Sequence, residues 1–382
     1  MLAIRKEIGG ENMSGRISID EIISKGLEKG EYLIAALDLK KYFPLRRGIT
    51  DIVLRRRYFV RAVDGVSFAI REGEVFCLVG ESGCGKTTTG KTLIGLLPPT
   101  AGTIFYRPKE ETKEYLSEIG IGPTKGDYYL LNELFKDKRA NKIMRRELQI
   151  VFQDPYAALD PRHTVLTALE EPLVVHRIGF SREERLEMVF RALEDVKLIP
   201  PEDFIDRYPH MLSGGQRQRV CIARALILNP RFVVADEPVS MLDVSIRAEI
   251  LKLMLELREK RKLTYLFITH DLATARLICN RIAVMYLGKI VELGPTDVVI
   301  GNPLHPYTRA LVAAIPEPDP NNRLRIRKLD IKGEVPSAIN IPPGCRFHPR
   351  CPHMFDRCKE AEPPVMEVEP EHYVSCWLYA KE

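Results

Sequence analysis

The sequence predicts an α/β fold: a mostly parallel, buried sheet, an antiparallel β subdomain at its front, and a small Cys/Pro-rich domain at its end. Three observations predict it. Between Tyr32 and Val79 short apolar runs alternate with turn residues, as antiparallel strands do. Farther on, Phe232–Ala235 and Tyr265–Thr269 are near-continuous apolar runs, the pattern of parallel strands buried on both faces. From Asn302 onward prolines crowd the chain, among them those at 303, 306, 316, 318, 320, 336, 342 and 343, and Cys345, Cys351, Cys358 and Cys376 follow these.

The elements follow in order. Residues 1–32 are polar and charged and read as an N-terminal extension, with Met13 an alternative start. The main domain is expected over 33–304. It opens with a strand at Tyr32–Leu39, a basic loop at 45–57, and a strand at Val66–Ile70. After the turn Arg71–Glu74 comes a third run, Val75–Val79, grouped here with the antiparallel front. Residues 107–146 are charged, contain Gly and Pro, and lack a sustained apolar period. They read as a solvated surface insertion with helix around Glu133–Glu147. Residues 181–198 form an amphipathic helix: Leu186, Val189, Phe190 and Leu193 recur at helical spacing, and Ser181 with Glu184 makes a capping box. The last domain is expected over 305–382.

Composition bounds the function. The 382 residues are 45% hydrophobic, enough for about two to three domains with real cores. The 57 basic and 52 acidic side chains leave a formal charge of +5, too little excess for a dedicated nucleic-acid binder. No apolar run reaches the roughly 18 residues of a membrane-spanning helix. The N-terminus lacks the apolar centre of a signal peptide, so a cytoplasmic location is expected. Eight cysteines are too sparse for a disulfide scaffold.

Three motifs carry chemistry. Gly80, Gly85, Lys86 and Thr87 stand in the pattern G-x-x-x-x-G-K-[ST], with Glu81, Ser82, Gly83 and Cys84 between and Thr88 following. An apolar run precedes them and helix-compatible residues follow. That is the context of a P-loop, in which converging backbone N–H groups and a helix N-terminus bind phosphate. Lys86 would reach the β/γ phosphates and Thr87 would ligate Mg²⁺. Second, the apolar run Phe232–Ala235 ends in Asp236 and Glu237. Such an Asp can hold the magnesium shell, and the adjacent Glu can act as general base on water. Third, Ser213, Gly214 and Gly215 open a helical run and form an anion-binding nest, followed by Gln216.

Here the sequence resembles the ABC-type ATPases. Their LSGGQ signature is present letter for letter at Leu212–Gln216, and the other motifs appear in order over roughly residues 33–304. Gln153 matches the Q-loop, Asp243 the D-loop (with Met241 where the family usually has Ala), and His270 the switch histidine. Tyr42 matches the aromatic that stacks on adenine, with Phe43 and Tyr58 as alternatives. The resemblance implies a P-loop NTPase core with an antiparallel β subdomain and a helical signature subdomain. It also implies that ATP binds between the P-loop of one subunit and the LSGGQ of a second. Ser213, Gly214 and Gly215 would then clamp the partner's γ-phosphate. Glu237 would polarise water, His270 would contact the γ-phosphate, and Gln153 would contact Mg²⁺.

The tail resembles the C-terminal region of oligopeptide/dipeptide importer ATPases at Asn302–Leu311, Gly333–Ser337 and Gly344–Pro352. That resemblance implies a peripheral ATPase on the cytoplasmic face of the membrane, powering import of di- or oligopeptides. Its implied partners are a homologous second ATPase, as a heterodimer, two membrane permease subunits and an extracytoplasmic binding protein. Oligosaccharide or nickel import is the nearest alternative, and a soluble ABC ATPase of DNA repair or translation a remote one.

The cysteines stand as Cys345-x5-Cys351-x6-Cys358-x17-Cys376. Structural zinc favours a C-x2–4-C pair, which is missing, whereas four widely spaced thiols near prolines suit an iron–sulfur cluster. Zinc stays open through the spare nitrogens of His348, His353 and His372, and so do four plain thiols. The family resemblance implies a [4Fe–4S] cluster, structural and remote in sequence from the ATP site.

Overall fold

The computed structural model describes residues 18–45, 58–315, 331 and 333–380. Met13, nearly all of the basic loop, and the prolines at 316, 318 and 320 lie outside them.

The strands are β1 (Tyr32–Pro44), β2 (Phe59–Arg71), β3 (Val75–Val79), β4 (Ala101–Tyr106), β5 (Tyr129–Leu130) and β6 (Leu148–Val151). They continue with β7 (Phe232–Asp236), β8 (Thr264–Thr269), β9 (Arg281–Tyr286), β10 (Lys289–Pro295), β11 (Val365–Glu369) and β12 (His372–Ser375). Four form an antiparallel front sheet in the order β2-β1-β4-β5. The other eight form the main sheet, in the order β11-β12-β10-β9-β3-β8-β7-β6.

The run Val75–Val79, expected in the front sheet, is instead central in the main one, parallel to both β8 and β9. Its alternation explains this. Val75, Cys77 and Val79 join the core shared with the helical subdomain, while Phe76 and Leu78 join the core under the front sheet. A strand buried on both faces must be apolar throughout, which hides its period of two. Burying each large side chain this way contributes about 2 kcal/mol. Strands β7 and β8 are buried in the same manner and pair in parallel, as predicted.

The helical subdomain packs Val165–His176, Arg182–Asp195 and Gly214–Leu226 through Leu169, Leu173, Val189, Leu193 and Ile222. The Ser181 hydroxyl accepts the Glu184 N–H at 3.1 Å, capping the predicted helix. The Glu184 carboxylate reaches back one residue farther than the capping box implies, to the Phe180 N–H at 2.7 Å.

Residues 107–146 are not the solvated elaboration expected. Leu116, Tyr129, Leu131, Leu134, Ala140 and Met144 are buried, and β5 completes the front sheet. The apolar residues come from four short elements, so no single window shows a period. The helix expected over Glu133–Glu147 is two, Leu131–Leu134 and Lys138–Glu147, the second capped by Asp137.

The C-terminal residues are not walled off either. Strand β12 adds to β10, with Glu292 opposite Val374 and Leu293 opposite Tyr373, so they extend the main sheet. Among the described residues no helix is long and apolar enough to cross a membrane.

Candidate functional site

Strand β3 delivers the chain into a glycine-rich turn, and the helix Lys86–Leu93 leaves it. The turn needs its glycines. Gly80 and Gly85 have φ of 152° and 109°, and a Cβ there would meet the Met285 carbonyl oxygen at 2.2 Å or the Ala62 carbonyl oxygen at 2.0 Å. The buried Lys86 ammonium arches over the loop, donating to the carbonyls of Gly80 at 2.8 Å and Glu81 at 3.0 Å. An open cleft of about 590 Å³ lies above, lined by Gly80–Gly83, Gly85–Thr88, Ala62, Gln153, Glu237, His270 and Leu311. Its size is that of a small-molecule site. The Cys84 side chain is buried and does not line it.

The ends of β7 and β8 supply the rest. The Thr87 hydroxyl donates to the Asp236 carboxylate at 2.7 Å. Burial raises the Asp236 pKa, though Thr87, Lys91 and Lys86 oppose the shift. A hydroxyl and a desolvated carboxylate are the hard oxygen donors that Mg²⁺ prefers, so these residues fit that ion. Glu237 takes φ of 47°, a left-handed conformation rare outside glycine, and its N–H donates to the Ile268 carbonyl at 2.9 Å. This turn sends the carboxylate into the cleft. There Oε2 accepts from Gln153 Nε2 at 3.2 Å and faces His270 Nδ1 at 3.0 Å. Residues 153, 237 and 270, far apart in sequence, meet beside the loop.

The signature segment is built as a helix N-terminus but does not line this cleft. The Ser213 hydroxyl accepts the Gln216 N–H at 3.3 Å and the Gln216 side chain accepts the Ser213 N–H at 3.0 Å, a capping box. Ile246 lies against Gly215 so closely that a Cβ there would sit 2.7 Å from it. Asp243 is exposed at the start of the helix Val244–Arg261 and is likewise outside the cleft.

Tyr42, expected as the adenine platform, is not among the lining residues. Its hydroxyl donates to Asp64, and the Arg61 guanidinium lies 5.9 Å over its ring. Burial and then Asp64 push the Tyr42 pKa up to about 12. Asp64 in turn accepts from Arg346. The residue therefore ties β1 to β2 and to the C-terminal region.

The four C-terminal cysteines lie within electrostatic reach of one another. Burial raises the Cys376 pKa to about 12, and Cys345, Cys351 and Cys358 add to the shift. Burial likewise raises Cys345 to about 11, with Cys358 and Cys351 adding. All four are free thiols. Among the described residues no group of three or more His, Cys, Asp or Glu side chains is arranged to hold a metal ion. His372, held open above as a nitrogen ligand, is fully buried and turned to Glu292, with Nε2 to Oε1 at 2.8 Å.

Sequence reasoning missed the C-terminal residues at the cleft. Leu311 lines it, the Tyr307 hydroxyl accepts the Glu81 N–H at 2.8 Å, and Arg350 donates to both Glu81 oxygens, at 2.8 and 3.1 Å. The segment expected to be remote thus touches the phosphate-binding loop.

Comparisons with known proteins give the family of the chain. The family described as ABC transporter matches residues 63–240, and that described as Oligopeptide/dipeptide transporter, C-terminal region, matches residues 291–358. The oligopeptide transport ATP-binding protein AppF of Bacillus subtilis (strain 168) is 45% identical over 350 residues, 92% of this chain and 98% of that protein. The dipeptide transport ATP-binding protein DppF of Haemophilus influenzae is 42% identical, over 90% of this chain and 96% of that protein. Among solved structures, cbiO1 from Clostridium perfringens, part of the ABC transporter complex cbiONQ, superposes with a TM-score of 0.55 at 25% identity. The match covers 71% of this chain and 92% of that one. The ATP-binding cassette MJ0796, in a post-hydrolysis dimer bound to ADP and Pi, gives 0.54 at 29% identity, over 69% and 98%.

Proposed function

The chain belongs to the ABC transporter family, in the branch that carries the oligopeptide/dipeptide C-terminal region, and on that premise we propose how it works. It is the subunit that binds and hydrolyses ATP to power peptide import. The observation that carries the mechanism is the meeting of Gln153, Glu237 and His270 beside the loop that holds Lys86.

The loop N–H groups and the start of the helix Lys86–Leu93 bind the phosphates. Lys86 exchanges the Gly80 and Glu81 carbonyls for the β/γ oxygens. Thr87, Asp236 and Gln153 would hold Mg²⁺, which neutralises phosphate charge when bound. Glu237 accepts the proton of the attacking water as its oxygen bonds to the γ-phosphorus and the bond to the bridging oxygen of ADP breaks. His270 fixes the carboxylate and contacts the γ-phosphate. The nest at Ser213–Gly215 completes the site of a second ATPase subunit, its own cleft being closed by that subunit's counterpart. Asp243 lies at that dimer contact.

The second ATPase is read as a homologous but different chain. Two permease subunits and an extracytoplasmic binding protein complete the transporter, and this chain docks peripherally on the cytoplasmic face. Residues 33–304 are the ATPase unit, and 305–382 mark the peptide-transporter branch. The four cysteines are read as ligands of a [4Fe–4S] cluster, a reading supported by their spacing in the sequence and by the influence of the other three thiols on Cys376.

The test is uptake. The complex in vesicles should accumulate labelled di- or oligopeptides with ATP hydrolysis, and Glu237→Gln should abolish both. Uptake of oligosaccharide or nickel in place of peptide would move the chain to the alternative cargo.

A further inference from the structure

We propose that Arg350 is a positioning residue of the ATP site: its guanidinium neutralises Glu81 and holds the phosphate-binding loop in its nucleotide-binding shape. The inference rests on the reading of the cleft as an ATP site and adds to it a residue from the C-terminal region.

Glu81 is the second residue of the loop, and its carboxylate stands at a cleft that must take a polyanion. Among the described residues, the only other carboxylate lining that cleft is Glu237, which the chemistry needs, and the only lysine or arginine lining it is Lys86. Left alone, Glu81 would oppose phosphate entry. Arg350 meets it with a two-pronged bond, Nη1 to Oε2 at 2.8 Å and Nη2 to Oε1 at 3.1 Å, the strong planar fork of guanidinium and carboxylate. The Arg350 side chain is only 8% exposed, so solvent screens the pair weakly.

The aim of the fork is built into the fold. Arg350 lies 5.8 Å from the Tyr286 ring and 5.9 Å from the Phe347 ring. Tyr286, Tyr307 and Phe347 pack against one another with centroids 4.8 to 5.5 Å apart. Tyr286 ends β9, the strand beside β3, so the platform is fixed to the strand that feeds the loop. Tyr307, from the same platform, accepts the Glu81 N–H. Both the backbone and the side chain of Glu81 are therefore held by the C-terminal region. Because Arg350 sits next to Cys351, the cysteine segment presents it.

The experiment measures MgATP affinity of the full chain for the wild type, Arg350→Ala, Arg350→Lys and the double variant Arg350→Ala/Glu81→Gln. Arg350→Ala should weaken binding about tenfold at low salt, and the defect should shrink at about 0.5 M salt as the exposed Glu81 charge is screened. Adding Glu81→Gln should restore most of the loss, because no charge is left to neutralise. Arg350→Lys, which keeps the charge without the fork, should fall between. A defect that salt and Glu81→Gln leave unchanged would mean that Arg350 is a structural prop alone and would overturn the proposal. Wild-type affinity in Arg350→Ala would overturn it too. If Arg350→Ala does not fold, the ordering of Arg350→Lys and the double variant decides the matter by the same criteria. Failure of the wild type itself to bind MgATP would instead reject the ATP-site reading, and the inference with it.

Discussion

Glu237 and His270 meet at 3.0 Å although 33 residues separate them, and the left-handed turn at Glu237 is what brings the carboxylate to the ring. Strand β7 ends in that turn and β8 ends at the histidine, so two parallel neighbours deliver the pair from the same edge of the sheet. Glu237→Gln should keep ATP binding but lower hydrolysis by at least about 100-fold, since the amide cannot accept the water's proton. Steady-state turnover of the complex checks this, together with the accumulation of an ATP-bound closed dimer. Near-normal turnover would remove Glu237 from the role.

Local chemistry made this half of the site legible. A loop that wraps phosphate must have Gly at 80 and 85 and Lys at 86, and an apolar strand ending in two acids announces Asp236 and Glu237. The contacts of the C-terminal region were not legible. Arg350 and Glu81 are 269 residues apart and neither spacing nor composition links an arginine to one glutamate. The core role of 107–146 was hidden for a related reason. Its buried residues are shared among short elements, each below the length at which a period can be read. The surroundings of Tyr42 were not legible either: strand pairing with Arg61 and the bond to Asp64 decide where the ring points, and neither partner is part of the motif.

Tyr42 separates two roles experimentally. Tyr42→Phe keeps a ring but loses the bond to Asp64, so thermal stability should fall by about 1 kcal/mol. Tyr42→Ala should lose that and the packing as well. If base stacking were the main role, Phe would be as stable as the wild type and only Ala would weaken nucleotide binding. Paired measurements of unfolding and MgATP affinity distinguish the two outcomes.

Acid should loosen the contact between the C-terminal region and the loop. His305 caps the helix Pro306–Ala313, its Nδ1 accepting the Tyr307 N–H at 3.0 Å, so the folded state needs the ring neutral. Burial holds its pKa down to about 4, with Glu292 opposing and Arg309 assisting. An unfolded histidine titrates near 6.5. Between those values the unfolded chain binds more protons, so this stabilisation is full above about pH 6.5 and is lost as pH falls toward about 4, roughly 3 kcal/mol in all. His176, also near 4 by burial and then Arg146 and Lys142, adds a change of the same sign. His305→Asn keeps a capping acceptor and cannot titrate, so its melting temperature should fall less steeply over this range. Parallel slopes for the variant and wild type would refute the assignment.

The cysteine segment joins two questions that the sequence kept apart. Anaerobically purified protein should be brown, absorb broadly near roughly 400 nm, and carry about four irons per chain. Cys351→Ser should lose the iron and loosen residues 333–380, seen as faster amide exchange there. From sequence distance alone, nucleotide binding should survive that change. The structure argues otherwise, because Arg350 adjoins Cys351 and holds Glu81, and Arg346 follows Cys345 and holds Asp64. Both arginines lie on the stretch between the first two thiols, so a loosened segment withdraws them together. Cys351→Ser should therefore also weaken MgATP binding, by a factor close to that of Arg350→Ala, and Glu81→Gln should recover part of it. Colourless anaerobic protein, with zinc or without metal, would reject the cluster. Iron loss with fully retained nucleotide affinity would keep the cluster but separate it from the loop.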